Sequence, residues 1–95
     1  IGAGPIGLMA TALARLQGAA RVYAASPSRS RKRIELARRL GADEVFLSDR
    51  GGFDARSFPR GGVDRVLVTA PPATLPAALD AARVGGIVAF IGIEL

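Results

Sequence analysis

Apolar runs alternate with amphipathic segments along this chain, and no other feature restricts its fold as much. Ile6, Met9, Ala10, Leu13 and Leu16 fall at helical spacing, with Pro5 near the first helical position and Gly18 as a stop. A short β-type run, Arg21 to Ala25, follows and is interrupted by Ser26-Pro27-Ser28. A second helix is expected from Arg29 to Leu40, with Ile34, Ala37 and Leu40 on one face, Leu36 beside them and Gly41 as its stop. Glu44 to Leu47 reads as a brief strand. Residues 48–62, rich in Gly, Asp and Arg, read as a surface loop, and Val63 to Thr69 as another strand. Thr74 is placed to cap a third helix running to about Arg83, with Leu75, Ala78, Leu79 and Ala82 facing inward. Gly85-Gly86 is expected to end that helix before a buried strand, Ile87 to Ile91. Strands alternating with helices argue for one α/β domain over residues 1–95, a parallel sheet with helices on both faces. The chain opens on Ile1-Gly2 without a Met, so the expectation is a truncated first strand and a piece of a longer protein.

The turn into the first helix carries the strongest chemical signal. Gly2-Ala3-Gly4-Pro5-Ile6-Gly7 matches G-x-G-x-x-G. In that pattern the first glycine makes the tight turn out of a strand, and the second lets backbone approach a pyrophosphate. The third lets helix and strand pack closely. The helix start adds unpaired N–H groups and a positive dipole end. In a chain with 12 glycines the pattern is weak alone. Its place before a helix, followed by a strand and further βα units, makes it a dinucleotide site on a Rossmann-type, doubly wound sheet. It lacks the Gly-Lys-Ser/Thr ending of a nucleotide-hydrolysing loop.

An NAD site offers an acid about 20 residues beyond the glycine loop, bonding the ribose 2′-OH. Here that position falls on Ser26, and Arg29 and Arg31 stand just beyond it. A hydroxyl can donate to a 2′-phosphate and a guanidinium can clamp it, so this segment favours NADP over NAD. Lys32, Arg33, Arg38 and Arg39 read as the wet face of the helix. Ligands in open parallel sheets bind beyond the carboxyl ends of strands, which puts Thr69-Ala70 and Ile91-Gly92-Ile93 on the nicotinamide side. Asp43, Asp64 and Asp80 fit caps, turns or surface pairs better than acid–base work.

Composition removes several alternatives. There is no Cys and no His, so this chain offers no Cys–His metal cage and no Cys or His nucleophile, and neither catalytic nor metal-binding residues are assigned to it. A net charge of +5 invites an anionic partner, but aromatics are 5% and Trp is absent, so nucleic-acid stacking platforms are scarce. No apolar run approaches the roughly 20 residues of a membrane span. A cytoplasmic location is expected.

With these residues in view, the chain resembles the coenzyme-binding domain of the medium-chain, zinc-type alcohol dehydrogenases, most closely the polyol and threonine dehydrogenase-like branch. The resemblance rests on Gly2-Ala3-Gly4-Pro5-Ile6-Gly7-Leu8, on Ala37-Arg38-Arg39-Leu40-Gly41-Ala42-Asp43 and on Gly85-Gly86-Ile87-Val88, and it covers essentially the whole chain. It implies a fuller enzyme whose GroES-like catalytic domain, absent from this chain, holds a zinc that polarises the alcohol oxygen. Hydride then passes to C4 of the nicotinamide. It further implies a small alcohol or ketone as substrate and a homodimer or homotetramer. By matching position, Gly2, Gly4, Pro5, Ile6 and Gly7 would hold the pyrophosphate. Ser26 replaces the acidic ribose ligand, with Arg31 where a basic residue flanks the adenosine. Thr69, Ala70, Ile91, Gly92 and Ile93 would line the nicotinamide side. Two other readings stay open: a nucleotide-sensing module without chemistry, and a zinc-free quinone or enoyl reductase, whose Ala-x-Gly-Gly-Val-Gly loop fits less well.

Overall fold

A computed structural model describes residues 1–91 of the chain. They divide into two compact units: Gly2–Gly52, and Ile1 together with the chain from Phe53 onward.

The Gly2–Gly52 unit contains helix α1 (Pro5–Leu16), strand β1 (Tyr23–Ser26), helix α2 (Arg31–Arg39) and strand β2 (Glu44–Leu47). β1 and β2 run parallel in unbroken register, from Tyr23 opposite Glu44 to Ser26 opposite Leu47. Parallel neighbours need a crossover, and α2 supplies it. Both helices stop where glycine follows. Gly18 N–H bonds the Arg15 carbonyl and Ala19 N–H the Ala14 carbonyl; Gly41 and Ala42 do the same with Arg38 and Ala37. This double bond pattern satisfies carbonyls that a helix end otherwise leaves open. Ala24, Ile34, Ala37, Ala42 and Val45 form the core, with Leu8 and Leu47 packed on it. Tyr23 and Phe46 lie diagonally across the strand pair, ring centres 6.0 Å apart.

Three local expectations shift in this unit. β1 begins at Tyr23 rather than Arg21 because both backbone groups of Val22 are taken by Asp43. Val22 N–H donates to the Asp43 carboxylate, and Val22 C=O accepts from Asp43 N–H. α2 begins at Arg31 rather than Arg29, since Ser30 N–H closes a turn on the Pro27 carbonyl and Arg29 lies inside it. The apolar row of α1 is largely exposed. Leu16 is 82% and Met9 66% accessible, while the helix buries Gly7 and Thr11. The small residues allow close approach, and the periodic apolar row lies on another face.

The second unit holds β3 (Val63–Val68), α3 (Leu75–Ala81) and β4 (Ala82–Phe90), with 3-10 turns at Ala55–Ser57, Pro59–Gly61 and Pro72–Thr74. β3 and β4 are parallel. The Ile1 amino group donates to the Leu67 carbonyl and Ile1 C=O accepts from Thr69 N–H, so Ile1 lies alongside the end of β3. Val66, Val68, Ala78 and Ala81 are buried.

Here the local expectations fail more widely. α3 ends at Ala81, not near Arg83, because Ala82 is already extended and pairs with Val63. Gly85-Gly86 therefore lies inside β4, not at the helix end. It lies where the register jumps: Val63 faces Ala82 but Arg65 faces Ile87. Such a bulge is a usual place for glycine in a strand. Leu79 is 65% exposed, and Ala81 is buried instead. Thr74 stands at the N-cap, but its hydroxyl donates back to the Pro71 carbonyl and caps nothing.

Candidate functional site: the glycine turn and the ends of the strands

The glycine turn belongs to the Gly2–Gly52 unit. Gly2 has φ +109°, a conformation side-chain-bearing residues rarely take, and its N–H bonds the Ala25 carbonyl at 3.0 Å. The turn thus leaves alongside the end of β1. Ala3 is buried beneath it. Gly4 is the N-cap of α1 and Pro5 the first helical residue. No side chain caps this end and no acid stands in the first turn, so the first N–H groups keep their capacity for an external anion. A Cβ built on Gly4 meets no atom within 4 Å. Backbone with open space before it is what close approach to a diphosphate requires. Gly7 is buried, as the packing role of the third glycine demands, and its carbonyl accepts from Thr11 Oγ1 at 2.9 Å. Ile6 is exposed.

Ser26 closes β1. It is buried, and its hydroxyl donates to the neighbouring Pro27 carbonyl at 3.3 Å. Its own carbonyl accepts from Ser48 N–H at 3.0 Å. Arg29 and Arg31 are exposed, and among the described residues neither forms an ion pair. Lys32, Arg33, Arg38 and Arg39 are exposed as expected.

Sequence reasoning missed Asp49, placed in a segment read as plain surface loop. Its carboxylate reaches from beyond β2 to the turn after β1. Ser28 N–H donates to Oδ1 and Ser28 Oγ to Oδ2, both at 2.7 Å. The hydroxyl bond first, then the N–H bond, holds the Asp49 carboxyl below the usual carboxylate range. No sequence signal marks this pair, whose members lie twenty-one residues apart.

Asp43, the acid of the Leu-Gly-Ala-Asp element, is structural. It accepts from Val22 N–H at 2.8 Å and pairs with Arg15. The Arg15 guanidinium also donates to the Gly41 and Ala19 carbonyls. The Val22 N–H chiefly, with Arg15 behind it, lowers the Asp43 carboxyl.

Thr69, Ala70 and Ile91 belong to the other unit. Thr69 gives both its N–H and its hydroxyl to the Ile1 carbonyl, at 2.9 and 3.0 Å, and Ala70 is half-buried. Ile91 N–H bonds the Val68 carbonyl at 2.9 Å, so the ends of β3 and β4 stand side by side. Gly92 and Ile93 lie outside the described residues. Asp64 pairs with Arg83 across this strand pair. Among the described residues no three His, Cys, Asp or Glu side chains gather as a metal site, and no helix is long and apolar enough to cross a membrane.

Comparison with known proteins gives one consistent answer. The zinc-binding dehydrogenase family matches residues 5–95. An L-threonine 3-dehydrogenase of Saccharopolyspora erythraea is 36% identical over 97% of this chain, which spans 27% of that protein. The crystal structure of benzyl alcohol dehydrogenase from Acinetobacter calcoaceticus superposes with a TM-score of 0.84 and 33% identity, over 98% of this chain and 26% of that one. The chain therefore spans about a quarter of the length of these relatives and has the fold of that dehydrogenase's corresponding domain.

Proposed function

The chain belongs to the zinc-binding dehydrogenase family, and on that footing we propose that it is the cofactor-binding part of an NAD(P)-dependent alcohol or polyol dehydrogenase. Its relatives are dehydrogenases. The substrate class is a small alcohol or ketone, and hydride passes between that substrate and the nicotinamide, which supplies the redox chemistry when bound. The carrying observation is the unobstructed space before Gly4 at an uncapped helix start. Gly2 shapes the turn, Gly4 and the first N–H groups of α1 meet the pyrophosphate, and buried Gly7 lets the helix pack closely. Pro5 removes one N–H there and presets the helical φ. Thr69, Ala70, Ile91, Gly92 and Ile93 form the nicotinamide side in this reading.

Zinc does not fit the residues present. With no Cys, no His and no acidic cluster among the described residues, this chain supplies no zinc-dependent step. The ligands implied by the family fall to the remaining length of a protein like its relatives.

The non-acidic Ser26 supports NADP, and the exposed Arg29 and Arg31 support it too. The burial of the Ser26 hydroxyl against Pro27 removes part of that support.

The test is Gly4→Ser in the intact protein, with NADH and NADPH fluorescence titrations and a thermal melt. Gly4 has φ −76°, which serine adopts, and serine is a good N-cap, so the melting temperature should hold within a few degrees. Affinity should fall by about tenfold or more, because the new side chain occupies the anion's space. Wild type binding neither nucleotide, or Gly4→Ser binding as tightly as wild type, overturns the reading.

A further inference from the structure

A 2′-phosphate is gripped by the donors of the turn after β1, and in this chain those donors are already engaged by an anion. Ser28 lies two residues past Ser26, where a dinucleotide fold meets the adenosine ribose. Its N–H and hydroxyl form the paired-donor arrangement that binds phosphate oxygens. Both point at Asp49, one to each carboxylate oxygen, at 2.7 Å. Asp49 is exposed, so its charge stands open to solvent beside this turn.

We propose that Asp49, reaching from beyond β2 to Ser28, selects an unphosphorylated ribose and so turns the site toward NAD and against NADP. The inference rests on the dinucleotide reading of the glycine turn. A carboxylate accepts a hydrogen bond from a ribose 2′-OH, which is what the acid at the end of the strand does in NAD sites. A phosphate offers no such hydrogen at full charge. It meets a like charge, and the two Ser28 donors are spent. Asp49 thus restores, from beyond the neighbouring strand, the acidic character that Ser26 lacks. Arg29 and Arg31 are exposed and among the described residues form no ion pair, whereas Asp49 is fixed at the turn by its two bonds from Ser28. This reverses the preference that Ser26 and its basic neighbours suggest when read along the chain.

The test compares wild type, Asp49→Asn and Asp49→Glu in the intact protein, titrated with NADH and NADPH. Wild type should bind NADPH at least about fivefold more weakly than NADH, the scale of one like charge near a screened surface. Asp49→Asn should narrow that ratio by about fivefold or more, with NADPH binding more tightly and NADH no more tightly than to the wild type. Asp49→Glu should keep the wild-type preference. A purely structural role would weaken both nucleotides together. Independently of any variant, 2′,5′-ADP should compete with NADH less well than 5′-ADP on the wild type. The proposal is overturned if wild type prefers NADPH, if Asp49→Asn leaves the ratio unchanged, or if 2′,5′-ADP is the better competitor. Wild type that binds neither nucleotide removes the dinucleotide reading itself, a result distinct from binding without discrimination.

Discussion

The Gly2–Gly52 unit and the unit beginning at Phe53 are both parallel strand pairs with a helix between their strands, yet they obey different rules. In the first, β1 and β2 stay in register and both helices end on a glycine. In the second, α3 passes straight into β4, the register jumps within the strand pair, and Arg60 is the one described non-glycine residue with positive φ. The difference lies in what sets each boundary. Local backbone signals set both helix stops of the first unit. Those of the second are set by crowding between segments about twenty residues apart. Gly62 shows this most directly: a Cβ there would fall 2.6 Å from Arg83 N and 2.7 Å from the Ala81 carbonyl oxygen.

Gly62→Ala is accordingly the largest expected perturbation. The contact with Arg83 and Ala81 backbone cannot relax as a side chain would, and φ +140° adds strain. A loss of about 3 kcal/mol or more is expected from these two terms together. Chemical denaturation reads it. A loss below about 1 kcal/mol would show that the two segments shift apart easily, and the contrast between the units would weaken.

Ile34→Ala sharpens the other side of the contrast. Ile34 lies in the core of the glycine-bearing unit, and truncation there should cost about 2–4 kcal/mol. Leu79→Ser, at a position the apolar periodicity marks as inward but the structure leaves open, should change stability by less than about 0.5 kcal/mol. Equal losses in the two variants would mean that Leu79 is covered in solution and that the sequence pattern was the better guide.

Acid gives the smallest effect, and it reaches both units. Asp43, Asp49, Asp54 and Asp64 all have carboxyls lowered from 3.8, held down respectively by Val22 N–H, the Ser28 hydroxyl, Arg56 and Arg83. A depressed folded-state value means the folded protein binds fewer protons than the unfolded chain. Their contribution is therefore complete above the unfolded value near 3.8 and is lost as pH falls through the lower folded values. Melting temperature should hold from neutral pH to about 5 and fall below about 4. Asp43→Asn should flatten the acid limb. An acid limb as steep as the wild type's would sever the link to the Arg15–Asp43–Val22 clasp.

Much was legible along the chain, and the reasons are local. Glu44–Leu47 is the strand its residues suggest, because β-branched and aromatic residues between turns have few other options. Pro5 and Gly18 bracket α1 through their own backbone restrictions. The apolar row Ile6, Met9, Leu13 and Leu16 misled. Periodicity shows that a face is apolar, and it does not show what lies against that face. The same gap explains Leu79 and the displaced end of α3.

By itself, then, the sequence determined the order of elements, the glycine stops and a glycine-rich turn at Gly2–Gly7 leading into the first helix. Each of these depends on the φ and ψ available to a few adjacent residues. Only the tertiary structure decided that Ser26 is buried, that Asp43 clasps Arg15 and Val22, that Gly62 lies hard against the Ala81–Arg83 backbone, and that Asp49 answers Ser28. Apart from the burial of Ser26, which other segments impose, each joins groups about twenty to thirty residues apart. A hydrogen bond or a clash between such groups exists only once the intervening chain has folded back on itself, which no window of neighbouring residues can encode.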